Sequence, residues 1–515
     1  MKAEPRRLVE LIAGLEPCHV EGDLGVAISG IQVDSRQIRP GDLFVAVTGL
    51  QQNGHRFISD AVARGAAAAL VSEPCPGTGL KALVQVEDTR LALARVSAEL
   101  ARHPSLGFSL IGITGTNGKT TLTYLLEQIV LAAGGVPGVI GTINSRFCGK
   151  VQDASHTTPE ACDLQDLLGR MGAGGVTHVA LEVSSHALDL QRVRGSHFRV
   201  GVFTNLSRDH LDYHGDLERY AQTKSLLFSR ELTESRAADR VAVVNFDDPH
   251  KGAMIHGWSG DVLTFGFSDR ADVHPVGEAL HSLDGFRTRV AFPGGEVDLH
   301  SHLIGTHNLA NVLTAFSVAR AVGLSAAKAA AGIEACRIVP GRLERVNPGE
   351  RPAVFVDYAH TDDALSNVLS SLRPLMTGRL ITVFGCGGDR DRGKRPLMGL
   401  QVARGADLAV LTSDNPRTED PRSILEQVSP GLLQGGFQQV PEEALGVDSR
   451  KVYCVVEDRK QAIYRAIRSA REEDVVLIAG KGHETYQIIG TTRNHFDDRE
   501  EAALSLQRSR EEEGS

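Results

Sequence analysis

The stretch SLIGITGTNGKTTLTYLLEQIV, residues 109–130, reads as an apolar strand, a glycine-rich loop and a helix in immediate succession. Within it, GTNGKTT spans residues 115–121. Gly115 and Gly118 let the backbone aim its N–H groups inward at phosphate oxygens, with Thr116 and Asn117 between them. The helix that follows adds partial positive charge at its N-terminus. Lys119 is spaced to reach the β and γ phosphates, and Thr120 to put its hydroxyl on Mg²⁺, with Thr121 closing the motif. The strict P-loop pattern has glycine where Ile113 stands, so this is a variant loop. A solvated lysine on a glycine turn is the competing reading, and the strand–loop–helix context disfavours it. A phosphate loop alone does not separate a motor, a GTPase and a ligase. The absence of an Asn-Lys-x-Asp guanine motif counts against the GTPase.

Working outward, further apolar runs follow at 178–183, 199–206 and 240–247, separated by helical patterns. Alternation of strand and helix predicts an α/β fold with a mainly parallel sheet. PGRLERV (340–346) reads as a join, after which the alternation restarts at 353–360, 379–395, 408–417 and 474–484. Before the phosphate loop, 33–47 reads as turn then strand and 57–71 as helix into strand. Leu8, Leu11, Ile12 and Leu15 have helical spacing and predict an amphipathic N-terminal helix, not a signal peptide. The charged end, REEEGS (510–515), is expected to fray. With 515 residues, the chain should hold about three domains. Their expected spans are 1–106, 107–338 and 339–515.

The net charge of −9 disfavours a nucleic-acid partner. The seven cysteines form no Cys-x-x-Cys pair, which fits a reducing cytoplasm and argues against a zinc ribbon. No apolar run approaches the roughly 18 residues of a membrane span. A soluble, cytoplasmic, monomeric protein is therefore expected. LEVSSH (181–186) ends an apolar strand on Glu182, a position suited to Mg²⁺ beside phosphates. His210 and His214, four apart, invite a zinc reading, but no HExxH frame or third ligand accompanies them. His210 beside a nucleotide-bound Mg²⁺ is preferred, with His214 structural. Lys224 sits in a helical pattern, where a lysine is ordinarily a solvated charge.

DSR (34–36), GTNGKTT, TTPE (157–160), EVSSH, FTNLSRDHLDYHG (203–215), GTHNLANVLTA (305–315), GRLE (341–344), DYAHT (357–361), FGCGGDRDRGKRP (384–396), DNPR (414–417) and GKGHE (480–484) occur in one order. In that order the chain resembles the Mur ligases of peptidoglycan synthesis, nearly end to end. The resemblance implies three domains: an N-terminal α/β domain for the UDP end, a central P-loop ATPase domain and a C-terminal Rossmann-like domain. It implies an ATP-dependent ligase that adds meso-diaminopimelate to the D-Glu γ-carboxylate of UDP-MurNAc-L-Ala-D-Glu through an acyl phosphate. A lysine-adding member and a folylpolyglutamate synthase-like ligase are the alternatives. By position, Val33 and Ser35 would meet the UDP end, and Thr157, Thr158, Ser184 and Arg192 the muramoyl dipeptide. His156 departs from the Asn of some members and takes no role. In TDDAL (361–365), Asp362 stands in place of the usual Pro. Asn308, Arg342 and Asp357 match nucleotide contacts.

The family's lysine at the place of Lys224 is carbamylated by CO₂. An ammonium about 5 Å from Mg²⁺ would be repelled by roughly 6 kcal/mol at an effective dielectric of about 20, and a carbamate reverses that sign. Lys224 and His210 are thereby expected at a second metal. Diaminopimelate differs from lysine by a far carboxylate. Arg417 offers it a planar fork, with Arg390 as a second candidate. Asn415 adds amide donors, Asp414 an anion, and Pro416 the turn that aims them. Glu484 and the Gly480 carbonyl would accept the far ammonium.

Overall fold

The computed structural model of the chain describes residues 4–49, 52–154, 156–446 and 450–513. The chain divides into two compact units. One comprises Met1–Pro275, Val290–Val297 and Asn311–Ile333; the other comprises Val276–Arg289, Asp298–Ala310 and Glu334–Ser515. The expected α/β class holds in both. Among the described residues no helix is long and apolar enough to cross a membrane.

In the first unit an eight-stranded sheet runs Lys150–Asp153, Asn144–Phe147, Pro137–Ile140, His178–Glu182, Ser109–Thr114, Phe198–Phe203, Val241–Asn245, Asp261–Phe265. Only Asn144–Phe147 pairs antiparallel with its two neighbours; the rest is parallel. The strand Ser109–Thr114 is buried along its whole length, as a parallel strand covered on both faces must be. Its register sets Ile113 opposite Glu182 on one side and Thr114 opposite Phe203 on the other. Three strands therefore end at one height. The helix Lys119–Ala132 packs back on the sheet through Leu122, Leu125, Leu126 and Ile129, a 3–4 spacing that makes one apolar stripe. A smaller five-stranded sheet of the same unit runs His19–Gly22, Ala82–Gln85, Ala68–Val71, Asp42–Val45, Gly30–Gln32. The expected turn-then-strand at 33–47 and helix-into-strand at 57–71 are both present.

The N-terminal helix is shorter than its spacing suggests. Only Leu8–Leu11 is helical, and Arg6–Arg7 pairs with Ala27–Ile28 instead. Tertiary partners outbid helical ones: Leu8 N donates to Val26 O at 2.9 Å and Val9 N to Leu24 O at 3.0 Å. The apolar residues still reach the core, with Leu8, Leu11 and Ile12 all buried.

The second unit carries a seven-stranded sheet in the order Glu344–Arg345, Ala353–Asp357, Val475–Ala479, Leu380–Phe384, Leu408–Leu411, Val452–Val455, Gln438–Gln439. It is parallel except for the edge pair of Glu344–Arg345 with Ala353–Asp357. Here too the register aligns strand ends, with Asp357 opposite Ala479 and Phe384 opposite Leu411. The charged tail does not begin to fray where expected. It continues the helix Asp498–Glu513, whose Glu512 accepts from Tyr464 Oη of the helix Arg459–Arg468 at 2.8 Å and pairs with Arg508 at 3.0 Å; residues 514 and 515 lie outside the described residues.

The helix behind the phosphate loop is held from its outer side at Gly332. A Cβ there would stand 2.3 Å from Ile129 Cα. Gly332→Ala is therefore expected to destabilise the protein by about 1–3 kcal/mol through overpacking, read as a lowered urea midpoint.

Candidate active site

In open α/β sheets, sites form beyond the carboxyl ends of the strands, where neighbouring connections diverge. At the end of Ser109–Thr114 the chain turns through Gly115 (φ 141°) and Gly118 (φ 90°). A Cβ on Gly115 would lie 2.0 Å from Thr204 Oγ1, so the close approach of the neighbouring strand end requires glycine. That strand end cradles the loop: Thr116 N donates to Asn205 O (2.8 Å), Asn117 N to Asn205 Oδ1 (3.0 Å), and Thr204 Oγ1 to Asn117 O (2.7 Å). Lys119 Nζ donates to Gly115 O at 2.8 Å and Thr116 O at 2.9 Å. Thr120 and Thr121 are buried in the first turn of the helix. Thr204 and Asn205 stand in the FTNLSRDHLDYHG stretch, where nothing local marks them; the fold sets them against the loop.

Glu182 ends the adjacent strand and is 1% exposed. Its carboxylate accepts from Thr120 Oγ1 (3.2 Å), Thr142 N (3.0 Å) and Thr142 Oγ1 (3.0 Å). Thr142, which carries no motif, is thus a partner that sequence reading missed. Its hydroxyl also lies 3.1 Å from Thr157 Oγ1. Thr158 Oγ1 donates to Glu182 O (2.7 Å) and accepts from Ser184 N (3.1 Å). Arg192 pairs with Glu160 at 2.6 Å and donates to Thr158 O at 3.1 Å. Thr157, Thr158, Ser184 and Arg192 are therefore one linked group beside Glu182. Val33 and Ser35 lie in the five-stranded part of the unit. Val33 packs half-buried on its core, and Ser35 is buried in a short helix Ser35–Gln37, where Asp34 accepts from Arg36 N.

Lys224 is 1% exposed, in the helix Leu217–Leu226, which continues as a π-helix over Leu227–Leu232. Its Nζ donates to Gly115 O at 2.9 Å, the same carbonyl that Lys119 uses, and lies 4.4 Å from the Tyr220 ring centre. Burial, then the Lys119 charge, hold its ammonium well below the ordinary lysine value, with Asp209 pulling the other way. His210 has a left-handed backbone (φ 52°) and precedes the helix Leu211–His214, so it does not share a helix face with His214. Its ring is 5.0 Å from that of His186 and 6.4 Å from that of Tyr220, and it lies 3.4 Å from the Asp209 carboxylate. His214 is buried against Ser185 Oγ at 2.9 Å, a structural contact as expected.

Among the described residues no three His, Cys, Asp or Glu side chains form a ready-made metal site. Thr120 and Glu182 nevertheless fit Mg²⁺ beside phosphates, because that ion takes few protein ligands and keeps water and phosphate oxygens as the rest.

In the second unit the strand ends gather another cluster. Asp414 and Asn415 are buried. Asn415 Nδ2 donates to Glu484 Oε2 at 3.0 Å. Burial, then the neighbouring Asp414, push the Glu484 carboxyl up. Burial also raises Asp414, but Lys481 and Arg459 together bring it below the usual aspartate range. Gly480 (φ 121°) donates its N–H to Asp357 O at 3.0 Å. Arg417 is half-buried: its backbone is left-handed (φ 52°), its N–H donates to Ile488 O at 3.1 Å and its Nη1 to Gly388 O at 2.7 Å. A Cβ on Gly388 would lie 1.9 Å from Pro416 O, so the two loops touch through glycine. Arg390 is exposed on the glycine loop, and its Cγ and Arg417 Nη1 both lie near Gly387. Asp357 is buried and accepts from Leu343 N (2.7 Å) and Ala359 N (2.8 Å). Arg342 stacks 5.2 Å from the Tyr358 ring, and Asn308 Nδ2 donates to Ile304 O at 2.8 Å.

A phosphate loop backed by a buried strand-end carboxylate, on an α/β frame with a further parallel-sheet unit, matches one family throughout. The Mur ligase family, catalytic domain, matches residues 27–101; the Mur ligase middle domain matches 113–319; the Mur ligase, glutamate ligase domain, matches 341–482. The chain belongs to the Mur ligase family. It is 46% identical to the UDP-N-acetylmuramoyl-L-alanyl-D-glutamate--2,6-diaminopimelate ligase of Geobacter metallireducens, over 97% of this chain and 98% of that one. The protein of the same name from Gloeobacter violaceus is 44% identical over 98% and 99%. A solved structure of a ligase so named superposes with a TM-score of 0.70 at 32% identity, covering 98% of this chain and 100% of that one.

The lowered Lys224 value carries a sign. Between the ordinary 10.5 and the folded value the unfolded chain binds the extra proton, so stability rises with pH across that window. Lys224→Met is expected to flatten this rise in CO₂-free buffer. Its stability gain over wild type should shrink as the pH rises toward the ordinary lysine value, read from urea midpoints.

Proposed function

We propose that this chain is the ligase that joins meso-diaminopimelate to the D-Glu γ-carboxylate of UDP-MurNAc-L-Ala-D-Glu, consuming ATP. What supports this most is the buried Glu182 carboxylate 3.2 Å from Thr120 in the phosphate loop, in a chain whose 46%-identical relative carries that name. In this reading residues 1–106 hold the UDP end through Val33 and Ser35, 107–338 bind ATP, and 339–515 bring the amino acid. It acts in the cytoplasm as a monomer on small-molecule substrates.

A carboxylate resists an amine because it is already anionic. Its oxygen therefore attacks the γ-phosphorus of ATP and ADP leaves; the amine then adds to the acyl phosphate carbon, loses a proton and expels inorganic phosphate. The protein contributes positioning and charge neutralisation. Lys119 exchanges the loop carbonyls for the γ-phosphoryl oxygens, and the Gly115–Thr121 backbone holds the phosphates. Asn308, Arg342 and Asp357 bind the rest of the nucleotide. Arg192, aimed by Glu160, holds the dipeptide with Thr157, Thr158 and Ser184. Mg²⁺ on Thr120 and Glu182, and a second ion on His210 and Lys224, would supply charge neutralisation. Lys224 suits that role as a carbamate. Its neutral amine, favoured by burial, forms an N–C bond to CO₂ and releases a proton. Arg417, Asn415 and Arg390 receive the far carboxylate, while Glu484 and the Gly480 carbonyl take the far ammonium beside Asp414, on the turn set by Pro416.

The test is phosphate release with the UDP-dipeptide and either diaminopimelate or L-lysine. Release should require the former, with discrimination of about 10⁴ or more, because donors built for a carboxylate would otherwise face none. Equal rates with lysine would overturn the assignment. Lys119→Ala should lose at least about 10²–10³ in kcat with the fold intact by circular dichroism. Arg417→Ala should raise KM for diaminopimelate by on the order of tenfold or more and leave that for ATP nearly unchanged.

A further inference from the structure

Lys481 lies between Gly480 and Gly482, just beyond the strand Val475–Ala479, and is fully buried. Its Nζ donates to Tyr486 O at 2.7 Å and Asn415 Oδ1 at 3.0 Å, and stands 3.3 Å from Asp414 Oδ1 and 3.6 Å from Glu484 Oε2. We propose that Lys481 is a positioning residue for the incoming amino acid: it locks the Asn415 amide with its donor face toward Glu484 and holds the Asp414–Glu484 pair to one net negative charge. This rests on the functional reading above.

The amide argument is one of donors and acceptors. Asn415 Oδ1 receives both Lys481 Nζ and Ile488 N, the latter at 2.9 Å. A flipped amide would turn its N–H₂ against an ammonium and an N–H, donors against donors. Nδ2 is therefore held on the Glu484 side, where one hydrogen goes to that carboxylate; in this proposal the other serves a ligand acceptor. The charge argument is a count. Asp414 and Glu484 contribute two negatives and Lys481 one positive. The other buried cation nearby, Arg459, is committed to Asp498 through contacts of 2.8 and 2.7 Å. One net negative near the Arg417 fork complements a head group with one ammonium and one carboxylate. Without Lys481, two buried carboxylates would compete for one ammonium, and the amide would lose the contact that orients it.

The experiment compares Lys481→Ala with wild type, with steady-state KM measured for all three substrates. KM for diaminopimelate should rise about tenfold or more while those for ATP and the UDP-dipeptide stay within about twofold. Propylammonium, which replaces the deleted chain, should restore part of the loss, and tetramethylammonium at equal ionic strength should not. An unchanged KM for diaminopimelate overturns the proposal, as does a parallel rise in all three constants without amine rescue. Should that variant fail to fold, Asn415→Asp is the second probe. It places an acceptor where the donor face stood and should raise the same KM selectively; wild-type affinity there also overturns the proposal. Wild type run alongside separates the two claims. If it releases no phosphate with diaminopimelate the functional reading falls, and the role of Lys481 is then judged by the same KM comparison on the amino acid that wild type does accept.

Discussion

Parallel pairing ends three strands, Ser109–Thr114, His178–Glu182 and Phe198–Phe203, on one edge of a sheet, and the chemistry of the first unit hangs from that edge. The middle strand delivers the phosphate loop. One neighbour delivers Glu182, and the other delivers Thr204 and Asn205. A slip of one residue in either pairing would turn these side chains to the opposite face and separate the loop from its partners. The geometry is thus set by main-chain hydrogen bonds deep in the core, far more rigid than the side chains they aim.

The second unit repeats the device with different cargo. Its aligned strand ends gather Asp357, the glycine loop, the Asp414–Arg417 turn and the Gly480–Glu484 turn. The first unit gathers a glycine loop, a lysine and a buried carboxylate at its strand ends. The second buries carboxylates and cations together, and such groups persist only when paired. Two physical strategies for recognition are therefore built on one type of scaffold.

Legibility from sequence followed the same division. Strand–helix alternation and the phosphate loop were readable because periodicity and glycine spacing are local properties. The N-terminal helix was overread because its N–H groups bond to Leu24 and Val26, distant partners that spacing does not reveal. His210 and His214 are four apart, a spacing compatible with one helix face, yet His210 stands outside the helix in a left-handed turn. Thr142 carries no motif, and nothing in its neighbourhood signalled that it would bind Glu182. Lys481 was not legible: a lysine between glycines after an apolar strand reads equally well as a solvated loop charge, and only the fold buries it against Asn415 and Asp414. The roles of Arg417 and Glu484 came from resemblance, while their contacts with Gly388 and Asn415 came only from the fold.

Two lysines share the Gly115 carbonyl, and Lys119 also holds that of Thr116. On the reading proposed above, an incoming nucleotide would meet an ammonium already aimed by main-chain oxygens and would trade places with them. Neutral carbonyl acceptors would give way to anionic phosphate oxygens, so the hydrogen bonds would strengthen, and the ligand would be spared the cost of freezing a long flexible chain. The ordering of that side chain would then belong to folding and not to binding.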